Sequence, residues 1–216
     1  MRIGVLGTGA VGQTIATKLV ELGHDVRIGS RDAANEKAQA WVARAGERAS
    51  AGTFADAADF GELVFNCTAG AASLAALEQA GEDALRGKTL VDVSNPLDFS
   101  SGMPPSLTVC NTDSLSEQIQ RRFPETHVVK ALNTVNARVM VDPSLVPGEH
   151  DVFVCGDDEA AKSEVVALLE GFGWPRKRIV NLGGIDAARA VEMYLPLWLR
   201  LLGAFGTPQV NIHVAH

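Results

Sequence analysis

Gly7-Thr8-Gly9-Ala10-Val11-Gly12 follows the GxGxxG spacing and lies near the start of this 216-residue chain. A short apolar run from Ile3 to Leu6 precedes it, and apolar residues at helical spacing continue from Val11 to Leu22. The glycine pattern is a weak signal alone, but a strand before it and a helix after it are the context of a dinucleotide-binding turn. We therefore predict that these segments form the phosphate-binding part of a Rossmann-type fold.

Each glycine of the turn has its own role in such a site. The first, Gly7, permits the tight bend, and the second, Gly9, lets the backbone approach the pyrophosphate. The third, Gly12, lets the helix pack close to the sheet. The free N–H groups and the positive dipole end at the start of the helix then favour the phosphates.

Strand-like and helix-like segments alternate along the rest of the chain, which is typical of repeated βα units. The predicted strands cover residues 3–6, 25–28, 63–67, 89–93, 128–132, 152–155 and 179–182, with a small unit around Thr53. The predicted helices cover residues 11–22, 33–45, 55–60, 71–85, 115–122 and 159–170, and Asp186 caps a long one kinked at Pro196. We predict an α/β fold, a Rossmann-type doubly wound and mostly parallel sheet. It forms a single domain, residues 1–216, with a helical C-terminal extension over residues 186–216.

Composition and charge argue against several classes of protein. The formal net charge is −7 and the basic residues are scattered, so we expect no nucleic-acid binding. The longest apolar stretch, Val191 to Phe205, is too short to span a bilayer and carries Glu192 and Arg200. Three cysteines lie far apart, and their odd number suits a reducing compartment better than a disulfide framework. We expect a cytoplasmic protein that does not bind membranes.

The end of the second predicted strand indicates which nucleotide is bound. NAD-specific folds usually place an acidic residue there, which accepts hydrogen bonds from the ribose hydroxyls. This chain has Ser30 and Arg31, a hydroxyl and a guanidinium that suit the 2′-phosphate of NADP(H). Thr8 in the adjacent turn and Lys37 in the following helix add a donor and a positive charge. Asp32 is the competing candidate and would favour NAD, although its position suits the cap of the next helix.

Small and polar residues follow three further strands, at the edge where open parallel sheets bind ligands. Cys67-Thr68-Ala69-Gly70 leaves room for the nicotinamide ribose, and Ser94-Asn95-Pro96 ends the next strand. Asn133-Thr134-Val135-Asn136 offers amides and a hydroxyl for a carboxamide or a planar acceptor. Asn and Thr also cap loops, which is the alternative interpretation. The cofactor-binding candidates from these loops are Cys67, Thr68, Ala69, Asn95, Pro96, Asn133, Thr134 and Asn136.

The sequence lacks the residue pairs that transfer protons in many dehydrogenases. Tyr194 is the sole tyrosine, no lysine follows it at the spacing of a short-chain dehydrogenase, and no His–Asp dyad is evident. Cys67 has no basic neighbour in sequence, so we interpret it as a strand-end cysteine and not as a nucleophile. The five histidines show no metal-ligand spacing on a helix, which predicts no metal site. We expect direct hydride transfer, which needs alignment of two rings and no catalytic residue.

Several segments together resemble one known family, the F420-dependent NADP oxidoreductases. They are the glycine turn, Gly29-Ser30-Arg31, Val91-Asp92-Val93-Ser94-Asn95-Pro96-Leu97, Val129-Lys130-Ala131-Leu132-Asn133-Thr134-Val135-Asn136-Ala137, and Cys155-Gly156-Asp157-Asp158. The resemblance covers nearly the whole chain. The chain is also similar to the cytosolic reductase domain of the six-transmembrane metalloreductases, whose membrane part has no counterpart in this sequence. The resemblance implies NADP(H) contacts on Thr8, Gly9, Ala10 and Val11, on Ser30 and Arg31, and near Ala69, Asn95 and Ala137.

The resemblance also implies a small-molecule hydride acceptor, the 5-deazaflavin coenzyme F420, stacked on the nicotinamide beneath the C-terminal segment. Two departures from the archaeal members bear on this. They have a His-Thr-Ile-Pro-Ala-like run in place of residues 133–137, and a lysine soon after the Ser-Arg pair, where this chain has Asn35 and Glu36 before Lys37. A flavin, a quinone or a metal chelate remains an alternative acceptor. A non-catalytic NADP(H)-sensing module remains the alternative class.

The C-terminal stretch carries apolar residues on all sides of a helix, which indicates burial on both sides. Val191 and Leu195 belong to one face, and Tyr194 and Trp198 belong to the other. We predict that this stretch covers the sheet, walls the acceptor pocket near Gly206 and contributes to a homodimer.

Overall fold

The structure of the protein, a computed structural model, describes residues 1–215. The strands are β1 Arg2–Leu6, β2 Asp25–Ser30, β3 Ala49–Thr53, β4 Leu63–Asn66, β5 Thr89–Asp92, β6 Leu97–Asp98, β7 Ser106–Leu107, β8 His127–Ala131, β9 Val152–Cys155 and β10 Ile179–Asn181. The helices are α1 Ala10–Glu21, α2 Glu36–Ala45, α3 Phe54–Phe60, α4 Gly70–Ala80, α5 Glu82–Leu85, α6 Leu115–Arg122, α7 Ala137–Val141, α8 Glu159–Phe172, α9 Ala188–Met193 and α10 Leu195–Phe205.

Eight strands form the main sheet, in the order β10-β9-β8-β5-β4-β1-β2-β3, while β6 and β7 form a separate antiparallel hairpin. Neighbouring strands of the main sheet run parallel except β8 and β9, which are antiparallel. The chain winds outward from β1 to β3 on one side and from β4 onward on the other. This confirms the predicted doubly wound, mostly parallel α/β sheet, and it places the reversal of strand order between β1 and β4.

Helices cover both faces of the sheet and bury its apolar residues. Trp41 of α2 and Val165 of α8 belong to the core on the face that also holds α1 and α7. Leu77 of α4 and Ile119 of α6 are buried in the core of the opposite face. Buried parallel strands therefore read as near-continuous apolar runs in this sequence, as such strands do.

Two predicted helices differ from the observed ones because of local caps. The helix expected over residues 33–45 begins at Glu36, since the Asn35 side chain accepts a hydrogen bond from the Ala38 N–H at 3.0 Å. Asp32 instead accepts from the Ala34 N–H at 2.9 Å, so its assignment as the helix cap is wrong. The helix expected over residues 71–85 is two helices, because Gly81 adopts a φ of 94° between them.

The C-terminal segment, Ile185 to Ala215, packs less deeply than the sequence pattern indicated. Asp186 lies inside a short 3-10 turn and caps nothing, and the helix is interrupted at Tyr194, just before α10. Leu195 is buried, but Leu197 and Phe205 are 53% and 68% exposed, so burial on both sides is not found within residues 1–215. Among these residues there is no helix with the length and apolarity that crossing a bilayer requires.

Candidate nucleotide-binding site

The glycine turn joins β1 to α1 at the point where the strand order reverses. Gly7 has a φ of 117°, and a Cβ there would meet the Cys67 carbonyl oxygen at 2.7 Å. A Cβ on Gly12 would meet the Gly7 carbonyl oxygen at 2.0 Å, so the first turn of α1 touches the strand end. A Cβ on Gly9 would have nothing within 4 Å. Gly7 and Gly12 are thus required by the fold itself, whereas Gly9 leaves an open approach to the start of α1.

An open groove runs from this turn across the carboxyl ends of the neighbouring strands. Its first part has a volume of about 440 Å³ and is lined by Gly7, Thr8, Gly9, Arg31, Phe54, Cys67, Thr68, Ala69, Ala72, Ala75, Ala76 and Gln79. Its second part, about 390 Å³, is lined by Val11, Cys67, Thr68, Ala69, Gly70, Ala71, Val93, Ser94, Asn95, Leu97, Asp98 and Phe99. Cys67, Thr68 and Ala69 belong to both parts, so the two form one continuous groove.

A larger cavity lies elsewhere and lacks these features. It has a volume of about 530 Å³ and is lined by Gln13, Thr14, Thr17, Lys18, Glu21, Trp41, Arg44, Ala45, Val141 and Asp142. These residues belong to helices α1, α2 and α7 and to the residue that follows α7, and none of them lies at a strand end. Since open parallel sheets bind ligands beyond the carboxyl ends of their strands, we assign the site to the groove.

The residues proposed for the 2′-phosphate occupy different environments. Ser30 is 5% exposed, and its hydroxyl donates to the Asp32 carbonyl at 2.5 Å. Arg31 is exposed, lines the groove, and has no ion pair or hydrogen bond with any residue of the described chain. Lys37 is exposed in the first turn of α2 and does not line the groove. Arg31, with Thr8 beside it, therefore offers the free positive charge at this end.

The loops after β5 and β8 bond to each other and to the C-terminal segment. The Asn133 side-chain amide donates to Asn95 Oδ1 at 2.9 Å and to the Val191 carbonyl at 3.0 Å. In return the Asn95 amide donates to the Asn133 carbonyl at 3.0 Å. Asn95 lines the groove, whereas Asn133 is 3% exposed and lies behind it. The pair fixes the floor of the groove.

The other polar residues of the loop after β8 have two different roles: one caps a helix, and one is buried without a hydrogen-bond partner in the described chain. Asn136 is the N-cap of α7, since its side chain accepts from the Arg138 N–H at 3.0 Å, which is the capping alternative. Ala137 is the first residue of that helix. Thr134 is 1% exposed, and its hydroxyl has no hydrogen-bond partner within residues 1–215. A buried hydroxyl without a partner is costly, and Thr134 lines neither part of the groove.

Titratable groups in and around the groove do not form a proton-transfer pair. Burial raises the pKa of the Cys67 thiol, and the Asp92 carboxylate raises it further, so this cysteine stays protonated. Within residues 1–215, two His–Asp pairs lie away from the groove: His213 Nδ1 is 2.9 Å from Asp151 Oδ2, and His127 Nδ1 is 3.5 Å from Asp158 Oδ2. Neither pair lines the groove, because both lie toward the β9 side of the sheet.

The chain matches a family model described as NADP oxidoreductase, coenzyme F420-dependent, over residues 2–96. It is 30% identical over 213 residues to the F420-dependent NADP reductase of Methanothermobacter marburgensis, covering 93% of this chain and 92% of that protein. The chain belongs to the F420-dependent NADP oxidoreductase family. It is also similar to a solved structure of a putative F420-dependent NADP-reductase from Arthrobacter sp. FB24, with 50% identity, a TM-score of 0.94 and full coverage of both chains.

A second group of relatives is longer than this chain. The metalloreductase STEAP3 of Rattus norvegicus is 31% identical over 212 residues, which are 96% of this chain but 38% of that protein. The family resemblance stated from the sequence is thereby confirmed, including its similarity to the metalloreductases.

Sequence reasoning missed two features of the groove. Phe99, 57% exposed, stands at its rim beside the β6–β7 hairpin, a structure whose two-residue strands leave no periodic signal. Lys130 and Asp92 form a fully buried ion pair beneath the floor, with nitrogen and oxygen 2.9 Å apart. The sequence signal for this pair is Lys130, a lysine within an otherwise apolar strand.

Proposed function

We propose that this protein is an NADP(H)-dependent oxidoreductase that transfers a hydride between NADPH and coenzyme F420, a small-molecule redox acceptor. The observation that carries the proposal is the glycine turn at the strand reversal, with an open Gly9 and an unpaired Arg31 at the head of the groove. The family membership supplies the acceptor, because the named reductases of Methanothermobacter marburgensis and Methanocaldococcus jannaschii are F420-dependent.

The groove fits the nucleotide in three respects. Its head has the free N–H groups of the first turn of α1, which suit a pyrophosphate. Arg31 supplies a positive charge and several donors for the 2′-phosphate, and Thr8 lines the same end. The small residues Thr68 and Ala69 line the second part of the groove and leave room for the nicotinamide half.

The protein's own residues bind and orient, and they carry no proton in this proposal. Bound NADPH would supply the hydride, and a flat ring stacked on it would accept it. The backbone at Gly9 holds the phosphates, Arg31 fixes the adenosine end, and the Asn95–Asn133 pair keeps the floor of the groove in place. Alignment of two rings supplies much of the acceleration in such a reaction.

The acceptor would lie in the second part of the groove, where apolar side chains line the wall. Val93, Leu97 and Phe99 provide that surface. We further propose that residues 1–216 act as one domain, that the segment 186–216 walls the acceptor cleft, and that two copies pair in the cytoplasm through it. His216 lies outside the described residues.

A steady-state screen of NADPH oxidation tests the proposal. The purified protein is assayed with F420, FMN, FAD, riboflavin, a quinone and a ferric chelate, each with NADPH and with NADH. We expect the highest kcat/KM for the pair of NADPH and F420. Faster turnover of a flavin would reassign the acceptor, and NADPH binding without turnover of any acceptor would make the protein a nucleotide-sensing module.

A further inference from the structure

A lysine without solvent contact lies beneath the floor of the groove. The Lys130 ammonium, on β8, donates to Asp92 Oδ2 at 2.9 Å and to the Ser94 carbonyl at 2.6 Å. It also lies 2.8 Å from Glu192 Oε1, and the three charged side chains are at most 1% exposed. We call Asp92, Lys130 and Glu192 the buried triad.

One arm of the buried triad leads to the groove through β4. The other carboxylate oxygen of Asp92 accepts from the Asn66 amide at 2.9 Å. Asn66 Oδ1 in turn accepts from the Thr68 hydroxyl at 2.7 Å. Because Thr68 lines both parts of the groove, this chain of hydrogen bonds fixes a wall residue from below.

A second arm runs through the loop after β5. Asp92 Oδ1 accepts from the Ser94 hydroxyl at 2.7 Å and from the Ser94 N–H at 3.2 Å. The Ser94 carbonyl is already held by Lys130, so both ends of this residue are bound to the buried triad. Asn95, the next residue, lines the groove and pairs with Asn133.

The third arm reaches the C-terminal segment. Glu192, on α9, accepts the Leu115 N–H at 2.8 Å and the Ser116 N–H at 3.2 Å, at the start of α6. The helix dipole favours a carboxylate at this place. The preceding residue, Val191, accepts from Asn133 through its carbonyl. Glu192 therefore ties the segment proposed to wall the acceptor to the loops that form the floor.

A contribution to folding stability does not by itself explain three charged side chains in the interior of the protein. Desolvation makes buried charges costly, and apolar replacements of whole buried ion pairs are often neutral or stabilising. In this triad, burial works against the charged form of Lys130, yet the two carboxylates raise its pKa above the usual range. Burial likewise opposes ionisation of Asp92, but Lys130 and the neighbouring hydroxyls hold its pKa below the usual range. Two of the three arms lead to residues that line the groove, Thr68 and Asn95, and the third holds α9 against the start of α6.

We propose that Asp92, Lys130 and Glu192 are positioning residues. They fix the nicotinamide half of the groove and the C-terminal segment in position relative to each other. This inference rests on the proposed nucleotide site. Thr68, at the end of the first arm, also lines the part of the groove that holds Gly9 and Arg31, but neither Gly9 nor Arg31 has a hydrogen bond or ion pair with the triad. Loss of the triad should therefore impair the nicotinamide half of the site more than the adenosine half.

Paired binding measurements on two buried lysines test the inference. Lys130→Met removes the centre of the triad, and Lys162→Met is the matched control. Lys162 is 3% exposed and bonds to Glu159 and to the Gly183 carbonyl, beside the β10 edge of the sheet.

Calorimetry measures the affinity of each variant for NADP⁺ and for adenosine 2′,5′-bisphosphate, the half-nucleotide, at a temperature well below the melting point of that variant. For Lys130→Met we expect NADP⁺ affinity to fall roughly tenfold or more, since small displacements in a site are costly. The fragment affinity should change by no more than about twofold, because its contacts are independent of the triad.

The two affinities distinguish a loss of positioning at the nicotinamide half from a loss of rigidity throughout the fold. Equal losses for NADP⁺ and the fragment, or the same NADP⁺ loss in Lys162→Met, would overturn the inference. Should Lys130→Met fail to fold, Glu192→Gln makes the same comparison, since it keeps one acceptor oxygen for the start of α6. The binding ratio does not depend on the acceptor. A wild-type protein that fails to reduce F420 therefore refutes the proposed reaction but leaves this test intact.

Discussion

Ser30 and Arg31 are neighbours in the sequence and were assigned the same role, but the structure separates them. The Ser30 hydroxyl donates its proton within its own loop, to the Asp32 carbonyl. Arg31 extends from the same loop and lines the groove with no partner in the described chain. In the proposed site, discrimination between NADPH and NADH would therefore depend mainly on the Arg31 guanidinium.

Replacing Arg31 tests that conclusion. Arg31→Ala should weaken NADPH binding by roughly 1.5–3 kcal/mol, the scale of a hydrogen bond to a charged group, and leave NADH binding almost unchanged. Isothermal titration with both nucleotides measures this. Lys37→Ala is the matched control, since Lys37 is a nearby exposed cation outside the groove, and it should have a much smaller effect. Equal losses for NADPH and NADH in Arg31→Ala would show that Arg31 does not contact the 2′-phosphate.

Gly9 offers a second test at this scale, because its surroundings leave space for a side chain. Gly9→Val should abolish NADPH binding while the melting temperature stays close to that of the wild type, since a Cβ at this position has no protein atom within 4 Å. Differential scanning fluorimetry and calorimetry measure the two quantities. Gly203→Val, also at an open glycine, is the control and should bind NADPH normally. A folded Gly9→Val protein with normal affinity would remove the turn from the site.

Among the elements, those with a strong local pattern were predictable. The β1 strand, the glycine turn and α1 followed from periodicity and three glycines. The helix predicted over residues 115–122 is α6, and the Ser114 side chain caps it by accepting from the Glu117 N–H at 3.1 Å. The β6–β7 hairpin and the short helix α7 were missed, because two-residue strands and five-residue helices have no measurable period. The antiparallel direction of β9 depends on non-local pairing, which one sequence does not encode locally.

Part of the candidate site could likewise be predicted from the sequence, and part could not. The glycine turn and the strand-end loops could be located because a parallel sheet brings its carboxyl ends together. Lys130 within an apolar strand signals a buried charge, but its partners could not be identified, since Asp92, Lys130 and Glu192 lie far apart in sequence and meet only in the folded chain. The capping role of Asn136 and the internal bond of Ser30 also require the local backbone geometry.

The α6 helix gives a prediction about acid stability. Hydrogen bonds from the Arg121 guanidinium lower the pKa of Asp113 to about 2, below the usual range of an aspartate. A carboxyl with a depressed pKa in the folded state contributes stability that is present above the unfolded value and is lost as pH falls through the folded value. Asp113→Asn should therefore flatten the fall of unfolding free energy between about pH 4 and about pH 2, measured by urea titration. Glu47→Gln, which removes an exposed carboxylate without an ion pair in the described residues, is the control variant.

At the scale of the whole molecule, the surface of α10 includes large apolar side chains that no other part of the described chain covers. Leu195 packs inward, but Leu197 and Phe205 present large apolar side chains to solvent. Exposed apolar residues clustered on one element mark interaction surfaces more often than isolated ones do. The helix also follows α9, which the buried triad anchors to the groove. A second copy of the chain on this surface would thus add rigidity next to the proposed acceptor cleft.

Sedimentation velocity at micromolar concentration tests the proposed dimer. Wild-type protein should sediment as a dimer, and Leu197→Glu should sediment as a monomer, because a carboxylate in a dry interface lacks the water or partner that its charge requires. Leu22→Glu is the matched control, since Leu22 is 40% exposed at the end of α1 and should leave the dimer intact. Affinity for adenosine 2′,5′-bisphosphate should be the same in all three proteins, because neither Leu197 nor Leu22 lines the part of the groove that holds Gly9 and Arg31. If the wild type is a monomer under these conditions, the exposed face of α10 is not a homodimer interface.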